Sequence, residues 1–177
     1  MVPDERYFPD AEEVKPHAMA FARLMFAHAR FESGIRELQG AITGCQSFGE
    51  QRDNQWNARV RPERMAKLIK DKLGDIEEAE PIAALLEKSK KPSYDRNILA
   101  HGIWWCFNRE TSALTVRSGT IWKGEPQHVD WTVGDINRVA DTFDDLEADL
   151  YKIRRQIEKR RGSPDAGCPT LSQEPPA

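Results

Sequence analysis

The chain has 177 residues, enough for one domain with a sizeable apolar core. Lysine and arginine number 26 against 29 aspartates and glutamates, a formal net charge of -3, which argues against binding nucleic acid through overall charge and leaves any such contact to a local basic patch. Cys45, Cys106 and Cys168 form no CxxC or Cys/His ligand spacing and point to a reduced cytoplasmic setting, while the absence of a long apolar run and the charged N-terminus argue against a membrane span or secretion signal.

From residue 11 to 44, Val14, Ala18, Phe21, Met25, Phe31, Ile35, Leu38 and Ile42 recur at helical spacing. They predict one long helix, with Gly34 as the place for any bend. His28 falls on this stripe and reads either as a satisfied core histidine, the favoured reading, or as a site residue. Cys45 to Ala58 lacks periodicity and reads as a loop. A helix follows from Pro62 to Leu73, closed by Gly74. A shorter one begins near Pro81, carries Ile82, Leu85 and Leu86, and ends before the basic turn KSKKP.

Pro92 then precedes the stretch SYDRNILAHG, which reads as a separate short helix. Ser93 is its N-cap, Asp95 lies in its first turn, and Gly102 supplies a left-handed end. After Gly102 the period changes. GIWWCF and SALTVRS are aromatic and β-branched and flank the turn residues NRET, which predicts a hairpin. TIWKGEP and HVDW add a third short strand, limited by Gly124 and Pro126.

From Thr132 onward, Ile136, Val139, Phe143, Leu146, Leu150, Ile153 and Ile157 alternate steps of three and four, and Thr132 with Asp135 forms a capping box. This seam suits either an intramolecular core or a helix pair between two copies. The basic run KIRRQIEKRR either complements the helix dipole or faces RNA, as do Arg59, Arg61 and Arg64 in the second reading. The expected fold class is thus mainly α (α+β): a helical bundle of about four to five helices with a small antiparallel β-hairpin inserted after the motif helix. Residues 1–161 form a single domain in this reading, and 162–177 a disordered tail.

Within SYDRNILAHG, Asn97 and His101 are four residues apart and share a helix face. Arg96 and His101 are separated by roughly 140°. The guanidinium could meet the imidazole only by its reach or by facing the His101 of a second copy, which predicts a composite site. The residue types suit phosphate chemistry: arginine binds phosphoryl oxygens through parallel donors, and an imidazole exchanges protons near neutral pH.

Arg96 followed by Asn97, three further residues and His101 resembles the Arg-polar-x-x-x-His signature of the HEPN (higher eukaryotes and prokaryotes nucleotide-binding) superfamily. The continuation RNILAHG resembles its ribonuclease-like members. The resemblance implies a helical homodimer without cofactor or metal. It implies metal-independent cleavage of single-stranded RNA in a toxin-antitoxin or phage-defence setting, with an antitoxin or regulatory protein as a further partner. Arg96 and His101 would be catalytic and Asn97 would support them. Two alternatives stand beside it: a purely structural motif, with Arg96 in a salt bridge, Asn97 bonding a loop and His101 packing under Trp104 or Trp105, and a non-catalytic nucleotide- or partner-binding version of the fold. Cys106, between Trp105 and Phe107, reads as a strand core residue rather than a reactive thiol. Of the aromatic cluster Trp104, Trp105, Phe107, Trp122 and Trp131, most rings are expected in the core, although such rings can also stack bases.

Overall fold

A computed structural model of the chain describes residues 10–44, 62–74, 76–118 and 128–161. These residues form α1 (Ala11–Thr43), α2 (Pro62–Leu73), α3 (Ala79–His101), β1 (Ile103–Asn108), β2 (Ala113–Arg117), β3 (His128–Thr132) and α4 (Val133–Arg161). The protein is mainly helical, with one antiparallel sheet in the order β1-β2-β3. The predicted loop from Cys45, the C-terminal tail, Arg59, Arg61, Trp122, Gly124 and Pro126 lie outside the described residues. No helix among the described residues is long and apolar enough to cross a membrane. The described residues fall into two compact units: those up to Phe31 with Lys88–Glu147, and Glu32–Glu87 with those from Ala148 onward.

In the first unit, α1 begins with a reciprocal cap. The Glu13 amide donates to Asp10 at 3.0 Å and the Asp10 amide to Glu13 at 3.3 Å, satisfying donors that the first helical turn leaves unpaired. The buried face of α1 here carries His17, Ala20, Leu24, Ala27, His28 and Phe31. This corrects the expected stripe: Ala18 is exposed, and Val14, Phe21 and Met25 are half-buried. Apolar residues of this part of α1 also lie off the buried face, with Met19 and Phe26 exposed, so periodicity leaves its rotation open. The matching face of α4 carries Ile136, Val139, Ala140, Phe143 and Leu146. Outside this core Arg23 meets Asp141 at 2.5 Å and Asp144 at 3.2 Å, and Arg30 also pairs with Asp144.

The capping box of α4 is present. Asp135 accepts from the Thr132 amide at 2.9 Å, and the Asp135 amide donates to the Thr132 hydroxyl at 3.1 Å. The hydrogen bonds from Thr132 hold the Asp135 carboxyl below its usual range.

Two expectations about the motif helix are corrected. First, α3 runs unbroken through KSKKP, with Pro92 inside it. An internal proline removes one helix donor and strains the preceding residue. Here the buried positions Ile82, Leu85, Leu86, Ser89, Pro92, Asp95, Ile98 and Leu99 form a stripe that winds along α3 without a break at the proline, so packing on both sides of Pro92 outweighs its local cost of about 3 kcal/mol.

Second, Gly102 has no left-handed backbone. That role belongs to Gly44 and Gly74, with φ of 78° and 73°, which close α1 and α2. Gly102 is needed for a different reason. A Cβ there would lie 2.4 Å from Val116 Cγ1, 2.5 Å from the Ile98 carbonyl oxygen and 3.0 Å from that of Arg117. The end of α3 is therefore pressed against β2. Gly102→Ala should lower stability by about 1–3 kcal/mol through overpacking. Urea unfolding measures this, and an unchanged midpoint would contradict the close approach.

The hairpin forms as predicted, Asn108 closing its turn by accepting from the Glu110 and Thr111 amides at 2.9 and 3.1 Å. The third strand pairs in full along β2. One sheet face carries Trp104, Phe107, Leu114, Val116 and Trp131, and it packs on α1: Phe21 lies edge-on to Trp104 at 5.5 Å and His17 to Phe107 at 5.6 Å. Trp104 also donates its indole N–H to the Leu99 carbonyl at 3.0 Å. Cys106 is a buried thiol, as expected.

In the second unit, Ile35, Leu38 and Ile42 of α1, Ile69 of α2, Ile82, Leu85 and Leu86 of α3, and Leu150, Ile153 and Ile157 of α4 are all buried. A Cβ added at Gly34 would lie 2.7 Å from Leu150 Cδ2. Gly34 thus serves close helix contact, and α1 is continuous across it. Every residue of the C-terminal seam is buried within the single chain, which overturns its reading as a helix pair between copies.

Candidate functional site

The C-terminal half of α3 presents two chemically different faces. Arg96, half-buried, points to α1, where its Nη2 lies 2.9 Å from His28 Nε2 and 3.2 Å from Nδ1. A guanidinium only donates, so the imidazole accepts through an unprotonated ring nitrogen. The His28 ring is buried, with Phe143 edge-on at 4.9 Å. Burial, reinforced by the Arg96 charge, lowers its pKa to about 4, so His28 is neutral at physiological pH. His28 is the partner that sequence reading missed. Its only signal was a polar ring on an apolar stripe.

The opposite face is open to solvent. Lys90, Tyr94, Asn97 and His101 are all exposed and, at about 100° per residue, lie within a band of roughly 60°. Lys91 flanks it, paired with Asp95 and placed 5.9 Å from the centre of the Tyr94 ring. Asn97 and His101 share a face, as expected. Arg96 does not join them within one chain.

The basic end of α4 is largely neutralised. Arg154 pairs with Glu37 and Glu158, Arg155 with Glu158, and Lys152 with Asp149. Arg160 bonds Glu77 and, at 2.7 Å, the buried Glu78 just before α3. These pairs engage four of the basic side chains of KIRRQIEKRR with carboxylates. Among the described residues, no group of three or more His, Cys, Asp or Glu is placed to hold a metal ion.

No protein-family model, curated protein or solved structure matches this chain.

Proposed function

We propose that this protein is an RNA-directed, metal-independent endoribonuclease of HEPN type, acting as a homodimer with a composite site. The observation that carries the reading is the exposed His101, one turn from Asn97 on a face that also holds Lys90 and Tyr94. In the proposed reaction the ribose 2′-oxygen attacks the adjacent phosphorus as its proton leaves. The P–O bond to the next nucleotide then breaks, and that 5′-oxygen takes up a proton, giving a cyclic phosphate end and a 5′-hydroxyl end. His101 performs one of these proton transfers, Asn97 orients the substrate or the ring, and an Arg96 guanidinium stabilises charge on the phosphorane-like transition state. Because Arg96 and His101 diverge on one chain, the arginine comes from the second copy.

One observation favours the alternative, a non-catalytic nucleotide- or partner-binding module: Arg96 is held against His28 rather than beside His101. The two readings separate in one assay. Labelled single-stranded RNA is incubated with the purified protein and excess EDTA near neutral pH, and both binding and cleavage are followed. Cleavage that requires His101 supports the enzyme; binding without cleavage supports the module. A toxin or phage-defence role with an antitoxin partner rests on the resemblance alone.

A further inference from the structure

The solvent side of α1 carries an apolar stripe that neither the fold nor the catalytic proposal uses. Ala18, Met19, Ala22, Phe26 and Ala29 are all exposed, Met19 at 67% and Phe26 at 70%. At about 100° per residue they fall within a band of roughly 100°, opposite the face that His17, Ala20, Leu24, Ala27 and Phe31 turn to the core. Between Lys15 and Arg30 the one Lys, Arg, Asp or Glu is Arg23, and it leans off the stripe to meet Asp141 and Asp144. The outer sides of α3 and α4 in the same unit are charged instead, with Lys90 and Lys91 on one and Asp141 and Asp145 on the other. An uncovered apolar stripe rimmed by charge marks an interaction site.

We propose that this stripe is the contact between two copies of the chain, α1 packed antiparallel on the partner's α1 about a two-fold axis near Ala22. The stripe is self-complementary in size. Such an axis brings Phe26 of each copy to Ala18 and Met19 of the other, so the largest side chain meets a small one and a thioether that adapts to its ring. Ala22 then faces Ala22 and lets the helices approach closely. The ends are complementary in charge. Glu12 and Arg30 are separated by about five full helical turns and so lie on one flank of the stripe, their side chains 81% and 57% exposed. The antiparallel pair sets each Glu12 beside the partner's Arg30, whereas a parallel pair would set each beside its own counterpart. Lys15 falls opposite the partner's Ala29, where its stem packs and its ammonium stays in water. A nucleic acid finds no cation on the stripe to receive its phosphates. The contact supplies the dimer that the ribonuclease site proposed above requires and in that respect rests on that reading, but it stands on α1 alone and can hold where catalysis fails.

Sedimentation velocity of the full chain tests the contact. The wild type should be a dimer at micromolar concentration. Phe26→Asp, a change at an exposed position, should weaken self-association by about 100-fold or more with helical circular dichroism unchanged. Glu12→Lys and Arg30→Glu should each weaken it several-fold at low salt, and an equal mixture of the two should recover wild-type association, because every facing pair is again of opposite sign. A wild type that stays monomeric overturns the contact and the composite site together. A Phe26→Asp protein that dimerises as tightly as the wild type overturns the contact and leaves the composite site to another surface. Charge variants that fail to restore one another, with Phe26→Asp dissociated, overturn the antiparallel pairing.

Discussion

His101→Ala is expected to reduce RNA cleavage by about 10² to 10⁴, the usual worth of a positioned acid or base, while leaving the melting temperature where it was. The second half of this expectation comes from geometry. His101 is exposed at the last residue of α3 and makes no hydrogen bond or ion pair among the described residues, so truncating it removes no packing. A large loss of rate with unchanged thermal unfolding therefore separates chemistry from folding. Cleavage that persists unchanged in His101→Ala would end the catalytic reading and leave the binding module.

The second large effect is a loss of stability in mild acid. His28 has a folded pKa of about 4 against an ordinary value of 6.5, because burial and then the Arg96 charge oppose its protonation. Above pH 6.5 the ring is neutral in both folded and unfolded chains, and its contribution is complete. As pH falls from 6.5 toward 4, the unfolded chain takes up a proton that the folded one refuses, so stability falls with pH across that window and not further below it. The loss amounts to about 3 kcal/mol. His17, also buried and also lowered chiefly by burial, acts in the same direction. Urea unfolding of wild type and His28→Gln at neutral pH and near pH 4 isolates the His28 share, because a glutamine still accepts from Arg96 but does not titrate. Equal pH dependence in the two proteins would show that His28 is not held neutral by its surroundings.

Much of the architecture was legible in the sequence because local and global signals agree there. The C-terminal helix has a regular seam and a capping box, and both appear in the structure. The hairpin is announced by a change of period between turn residues. Legibility failed where a local rule lost to packing or where the partner is distant in the chain. Pro92 is a strong local stop, yet the buried face of α3 continues through it. The apolar residues around the first half of α1 fit more than one rotation, and only the histidines and alanines that face the core decide among them. Gly102 was read as a conformational glycine, whereas its neighbour β2 comes from a later part of the chain. The cap formed by Asp10 and Glu13 is readable from their spacing.

For the candidate site, the sequence supplied the residue types and the angle between them. The structure adds what no spacing contains: His28, 68 positions before Arg96, receives the guanidinium, while Asn97 and His101 stay in solvent. A single chain therefore separates the cation from the imidazole that the proposed chemistry needs together.

That separation makes complementation the most direct measurement. Arg96→Gln, whose amide can still donate to His28, and His101→Ala are each expected to be inactive alone as homodimers. Mixed in equal amounts and allowed to exchange subunits, they should regain about a quarter of wild-type cleavage, since half the dimers are then mixed and each mixed dimer holds one intact site of two. A mixture as inactive as its components, under conditions where the wild type cleaves and the subunits demonstrably exchange, would contradict a site built from two copies.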